Sequence, residues 1–151
     1  MRAIITLPVL IALIVLSPPG GLTHDPAMVG LFVVTVAGAW LITFLIQATI
    51  GASALFLEKS MSLAELYFGL FSIFSGYIVP LELFPGWLQA LTRWLPFRYQ
   101  LSLSIELISG QLDLATALVE VGKQWVYVAG LWVLLAVVWR RGIERFQAFG
   151  G

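Results

Sequence analysis

Residues 75–99, SGYIVPLELFPGWLQALTRWLPFRY, decide how this chain is built. They lie between strongly apolar runs, yet they hold Pro80, Pro85 and Pro96, with Glu82, Arg93 and Arg98 between them. A proline inside a helix removes a hydrogen bond and clashes with the preceding turn, so this stretch must break into short pieces. At membrane depth, broken backbone is tolerated only where protein buries it or where it lines a wet cavity. Within the stretch, Trp87, Leu88, Leu91, Trp94 and Leu95 recur at helical spacing, with Gln89, Thr92 and Arg93 off the stripe. The two tryptophans suit the headgroup level of a bilayer. A short interfacial or re-entrant helix ended by Pro96 is expected. A second short helix over 99–109 should carry Glu106 and close at Gly110. Asp113 should cap the helix that follows.

The surrounding composition is that of a membrane protein. Of 151 residues, 60% are hydrophobic and 11% charged, and the mean hydropathy is +0.99. Soluble domains run at roughly 45–50% apolar and about 25% charged, so one buried core cannot absorb this excess. The formal net charge is zero, which leaves no basic surface for nucleic acid. The absence of cysteine excludes disulfides, thiolate metal sites and a cysteine nucleophile. His24 is the only histidine, so the chain cannot build a multi-histidine metal site. Followed by Asp25-Pro26, it reads as a turn residue and not as a catalytic base. No G-x-x-x-x-G-K-[ST] occurs, so ATP is not bound through a P-loop. No catalytic, cofactor or metal-binding residue is assigned.

Working outward, the expected fold is all-α and integral to the membrane, with four transmembrane helices near 3–17, 27–57, 62–80 and 118–140. The re-entrant segment, 81–110, precedes the last of them, and the whole chain forms one transmembrane domain. The first run, 3–16, spans only about 21 Å as a helix and has a signal peptide as its rival reading. Residues 26–57 carry no charge and extend for about 48 Å if fully helical, so this helix must tilt or project. The last span stops at Arg140-Arg141. Counting Lys and Arg on each side places both termini in the cytoplasm of a multi-pass protein of the inner or plasma membrane.

The block SGYIVPLELFPGWLQALTRWLPFRYQ, the Glu106-x-x-x-Gly110 spacing, the pair Gln124-Trp125 and the ending WRRGIERFQAFGG together resemble the C-terminal half of ABC type-2 (ABC-2) exporter permeases. The resemblance covers nearly the whole chain and is most specific over 75–151. It implies six spans per subunit, a pair of permease subunits (homo- or heterodimer) and separate cytoplasmic ATP-binding-cassette ATPases. It also implies paired short re-entrant helices before the last span, in agreement with the proline argument. The family's first two spans and its cytoplasmic coupling helix are expected to have no counterpart here, which makes a permease portion the expectation. A small multi-span protein with a structural or assembly role, or a non-functional permease fragment, is the alternative. Drugs, lipids, polysaccharides and peptides all remain open as cargo.

Several residues are candidates for function, each with a plainer role beside it. Thr43 and Gln47, one turn apart near the middle of their helix, either line a transport path or glue helices together. Pro80, Glu82, Pro85, Pro96 and Glu106 either form a re-entrant gate or merely seal the outer face. Glu82 and Glu106 either pair with Arg93 or Arg98, or select cationic or amphipathic cargo. Glu58 and Lys59 form the internal cytoplasmic turn and are the candidate ATPase contact. Ala48-x-x-x-Ala52 and Ser72-x-x-x-Gly76 are patterns for close helix packing. Arg140, Arg141 and Arg145 read as a stop-transfer anchor.

Overall fold

The computed structural model describes residues 25–55, 60–79 and 81–150, with the backbone alone at 82 and 145–150. The expected span at 3–17, the Glu58–Lys59 turn and Pro80 lie outside the described residues. Among the described residues, every regular element is helical.

Helix α1, Pro26–Ser53, begins as its sequence dictates. Asp25 is in extended conformation and its side chain accepts from the Ala27 N–H at 3.0 Å, while Pro26 occupies the first turn, where no N–H is needed. The helix is 28 residues, about 42 Å, and is long and apolar enough to cross a membrane. Its buried residues, Met28, Phe32, Thr35, Gly38, Ala39, Ile42, Leu45 and Ala52, recur every three or four positions and form one face.

Helix α2, Ser60–Phe74, is 15 residues, about 22 Å, and falls short of the roughly 30 Å hydrocarbon core. The expected helix 62–80 therefore ends early. Gly76 turns the chain: its φ is +82°, and a Cβ there would sit 2.9 Å from Ser102 Oγ. Ser75 is fully buried; its Oγ accepts from the Tyr77 N–H, and its carbonyl accepts from Ser102 Oγ at 2.6 Å. The Ser72-x-x-x-Gly76 pattern is thus no helix-packing motif, because Gly76 lies beyond the helix.

The segment after Gly76 is broken, as the prolines require. A 3₁₀ turn, Leu81–Leu83, leads to helix α3, Gly86–Thr92, with Pro85 as its N-cap residue. Pro96 follows, then a 3₁₀ turn at Arg98–Gln100 and helix α4, Ser102–Ile108. Gly110, at φ +67°, ends α4. The Gly110 N–H bonds to the Leu107 carbonyl and the Gln111 N–H to the Glu106 carbonyl, a Schellman closure. Asp113 then accepts from the Thr116 N–H and caps helix α5, Leu114–Gly150. Residues Leu114–Glu144 of α5 are the second stretch long and apolar enough to cross a membrane.

Helices α1 and α5 run parallel. Thr35 and Gly38 meet Gln124 early in both helices, and Ala48 meets Leu135 and Trp139 further along both. The buried core between them joins Met28, Ile42 and Leu45 of α1 to Ala117, Val121 and Val128 of α5, with Tyr99 and α4 residues Leu103 and Leu107 wedged against the starting end. Two helices that run parallel need the intervening chain to return. Helix α2 and the short helices make that return.

Candidate functional site

The starting end of the α1–α5 pair is laced by polar groups that the broken segment brings in. Arg98, in the 3₁₀ turn after Pro96, is held by two carboxylates from two different helices. Its Nη2 donates to Glu106 Oε2 of α4 at 2.6 Å and its Nη1 to Glu120 Oε2 of α5 at 2.7 Å. Glu120 also takes Lys123 Nζ at 2.7 Å and the Tyr99 hydroxyl at 3.2 Å. The Arg98 and Glu120 side chains are each only 12% exposed, so this is a largely desolvated network. Burial works against the charge on Arg98, but Glu106 and Glu120 outweigh it and raise its pKa above the usual value. Burial, reinforced by the Glu120 charge, also raises the Tyr99 hydroxyl, which stays protonated and serves as a donor. A cavity of about 380 Å³, lined in part by Gln89, Arg93, Arg98, Glu106 and Glu120, lies beside the network.

One turn deeper, fully buried Gln124 ties α1, α5 and the broken segment together. Its Nε2 donates to the Thr35 carbonyl of α1 at 2.9 Å and to the Tyr99 carbonyl of the broken segment at 2.8 Å. It fits because residue 38 is glycine: a Cβ there would meet Gln124 Cδ and Oε1 at 2.7 Å. Gln100 is buried beside it and accepts from Thr43 Oγ1 at 3.2 Å and from the Tyr67 hydroxyl of α2 at 2.7 Å. Tyr67 is the single buried residue of α2. Among the described residues, three buried polar atoms, Thr35 Oγ1, Gln100 Nε2 and Gln124 Oε1, find no hydrogen-bond partner. Each such atom costs on the order of 1–3 kcal/mol unless water reaches it.

The expected site residues divide. Thr43 faces inward onto Gln100, whereas Gln47, about 40° further round α1, is exposed. Of the two carboxylates in the broken segment, Glu106 pairs with Arg98, and the Glu82 side chain lies outside the described residues. Pro85 and Pro96 act as helix delimiters. Pro80, Glu58 and Lys59 lie outside the described residues. Trp87 and Trp94 are 71% and 76% exposed on the outside of the broken segment.

Glu120, Gln100, Tyr99 and Ser102 are not among the candidates read from the sequence, and Gln124 enters there only within the Gln124-Trp125 pair of the family resemblance. One signal was present: Glu120, Lys123 and Gln124 fall at i, i+3 and i+4 at the head of an otherwise apolar helix, so three polar side chains share one face where lipid would tolerate none.

Set against known proteins, the family described as ABC-2 type transporter matches residues 3–108. That range covers α1, α2 and the broken segment to the end of α4, while α5 lies beyond it. No curated protein and no solved structure matches the chain.

Proposed function

The chain belongs to the ABC-2 type transporter family, and from that membership we propose that it is a transmembrane permease subunit of an ATP-binding-cassette exporter. It forms part of the substrate path, a second permease subunit completes that path, and a separate cytoplasmic ATPase drives it. The family match over residues 3–108 is the observation that carries this reading. The chain supplies no P-loop, which is consistent with a partner that holds the nucleotide. The parallel run of α1 and α5 supports an arrangement in which both cross the bilayer in the same sense. Helix α2 and the broken segment then return the chain between them, and both termini lie in the cytoplasm. In this arrangement the segment 81–110 sits at the outer face as the gate or exit vestibule, and the Glu58–Lys59 turn faces the ATPase.

The experiment is co-expression with the ATP-binding-cassette ATPase encoded nearest to this chain, followed by pull-down and reconstitution into proteoliposomes. Co-purification and ATP hydrolysis that rises in the presence of the permease are expected. ATP-driven transport by the purified 151-residue chain with no other protein added would overturn the reading.

A further inference from the structure

The outer flank of the charged network holds a second cavity, of about 470 Å³, with a different chemistry. Arg93, Lys123, Trp94, Tyr127 and Val126 line it, with Tyr99 and Glu120 at its back. The charge balance here opposes selection of a cationic cargo. Glu106 is taken by Arg98, and Glu120 by Arg98 and Lys123. Arg93 is exposed, and among the described residues it has no carboxylate partner. Among the described side chains here, three cations therefore meet two carboxylates, a surplus of positive charge.

The walls of this cavity are amphipathic in a directed way. Lys123 is the last charged residue before the uncharged run 124–139 of α5, so Arg93 and Lys123 stand where hydrocarbon gives way to headgroups. Trp94 and Tyr127 flank them as interfacial aromatics. Below the cavity, Val126, Gly130, Val133 and Val137 recur at helical spacing and are all exposed, Val126 to 72% and Val133 to 61%. Nothing lies within 4 Å of the position a Gly130 Cβ would occupy, so the stripe is an open apolar face of α5 that continues from the cavity.

We propose that this cavity binds the phosphate headgroup of an anionic phospholipid, with Arg93 and Lys123 as the phosphate contacts, Trp94 and Tyr127 as flanking shelves, and one acyl chain lying along Val126, Val133 and Val137. A guanidinium matches phosphate geometry through paired donors. The apolar stripe continuing from the cavity distinguishes a lipid from a soluble phosphate.

Two backbone contacts make the test clean. The Tyr99 hydroxyl bonds to the Arg93 carbonyl and the Tyr127 hydroxyl to the Trp94 carbonyl, so replacing either side chain leaves those fold contacts in place. The full chain, purified and delipidated in a neutral detergent, is titrated with dioctanoyl phosphatidylglycerol, dioctanoyl phosphatidylcholine and glycerol 3-phosphate, and bound ligand is counted by native mass spectrometry. Phosphatidylglycerol is expected to bind at least about fivefold more tightly than phosphatidylcholine, the scale of one cation at a membrane surface. Arg93→Ala should erase that preference with an unchanged melting temperature, Arg93→Lys should keep most of it, and Trp94→Ala should weaken both lipids together. Equal binding of the two lipids, an undiminished preference in Arg93→Ala, or glycerol 3-phosphate binding as tightly as the lipid would each overturn the proposal.

Discussion

The two ends of the α1–α5 pair are held by different physics. At the starting end, Arg98, Glu106, Glu120, Tyr99 and Gln124 cross-link α1, α5 and the broken segment by hydrogen bonds and ion pairs with one relative placement. At the far end, Ala48 faces Trp132, Leu135, Ala136 and Trp139 around an apolar cavity of about 320 Å³, and among the described residues no hydrogen bond or ion pair joins the two helices there. In water, apolar packing alone would hold the far end. In lipid, apolar side chains gain little by meeting one another, so close packing and polar contacts must set the geometry. The starting end therefore specifies where α5 lies, and the far end is free to splay. A permease that changes shape during its cycle would need this division, with one end fixed and the other able to open.

The strongest way to break the comparison is to remove the cation at the centre of the fixed end. Arg98→Leu leaves Glu106 without its partner and removes one of the two cations on Glu120, both in a largely desolvated setting. Breaking a buried pair in this way costs on the order of 3–5 kcal/mol. A large fall in the melting temperature in detergent is expected, together with hydrogen-exchange exposure of α4 and of residues 114–124. An unchanged melting temperature would show that the network is decoration and that the two ends are alike.

A smaller effect sharpens the contrast along α1 itself. Gly38→Ala places a Cβ 2.7 Å from Gln124 Cδ, on a fully buried side chain that has nowhere to retreat. Overpacking of this kind costs about 1–3 kcal/mol. Gly30→Ala on the same helix meets nothing within 4 Å and is expected to be neutral or to gain about 0.5–1 kcal/mol from helix propensity. Ala48→Leu at the far end grows into the open cavity and should be tolerated, with any gain below about 2 kcal/mol. Thermal melts of the three variants side by side decide the matter. Equal losses in Gly38→Ala and Ala48→Leu would dissolve the difference between the ends.

Sequence carried the local signals well and the long-range ones poorly, for a physical reason. Proline and glycine act on their own backbone, so the breaks at Pro85 and Pro96, the closure at Gly110 and the cap at Asp113 were legible without tertiary information. The family resemblance was legible too, although the matched range ends at residue 108 and the quoted features at Gln124-Trp125 and in the tail fall outside it. What one sequence cannot state is which helix another will meet. The buried position of Gln124 depends on Gly38, 86 residues earlier, and the pairing of Glu120 with Arg98 depends on where the broken segment folds back. The early end of α2 was hidden in the same way: Gly76 becomes a turn because Ser102 closes over it. Thr43 and Gln47 are one turn apart, yet a helix advances its face by about 40° over four residues. That rotation, with the narrow inward stripe of α1, separates a residue bonded to Gln100 from one left exposed.

The smallest expected effect lies at the first turn of α5, where Asp113 caps the helix that carries Glu120 and Gln124 into the fixed end. The hydrogen bond from Thr116 lowers the Asp113 pKa below its ordinary value of 3.8. A carboxylate with a depressed folded pKa contributes its stability above the unfolded value and loses it as pH falls through the folded one. The cap should therefore be fully present at neutral pH and weaken only below about pH 3.8, the ordinary value. Asp113→Asn keeps an oxygen acceptor at the same place and should hold the turn without that acid dependence, whereas Asp113→Ala should lose the turn at every pH. Amide exchange at residues 114–117, followed from pH 6 down to about pH 3, separates the three. Because Asp113 is fully exposed and the cap acts only on its own turn, exchange at residues 120–128 should not move. If it does, the ion pairs of the fixed end depend on the cap, and the polar network and the helix start form a single cooperative unit.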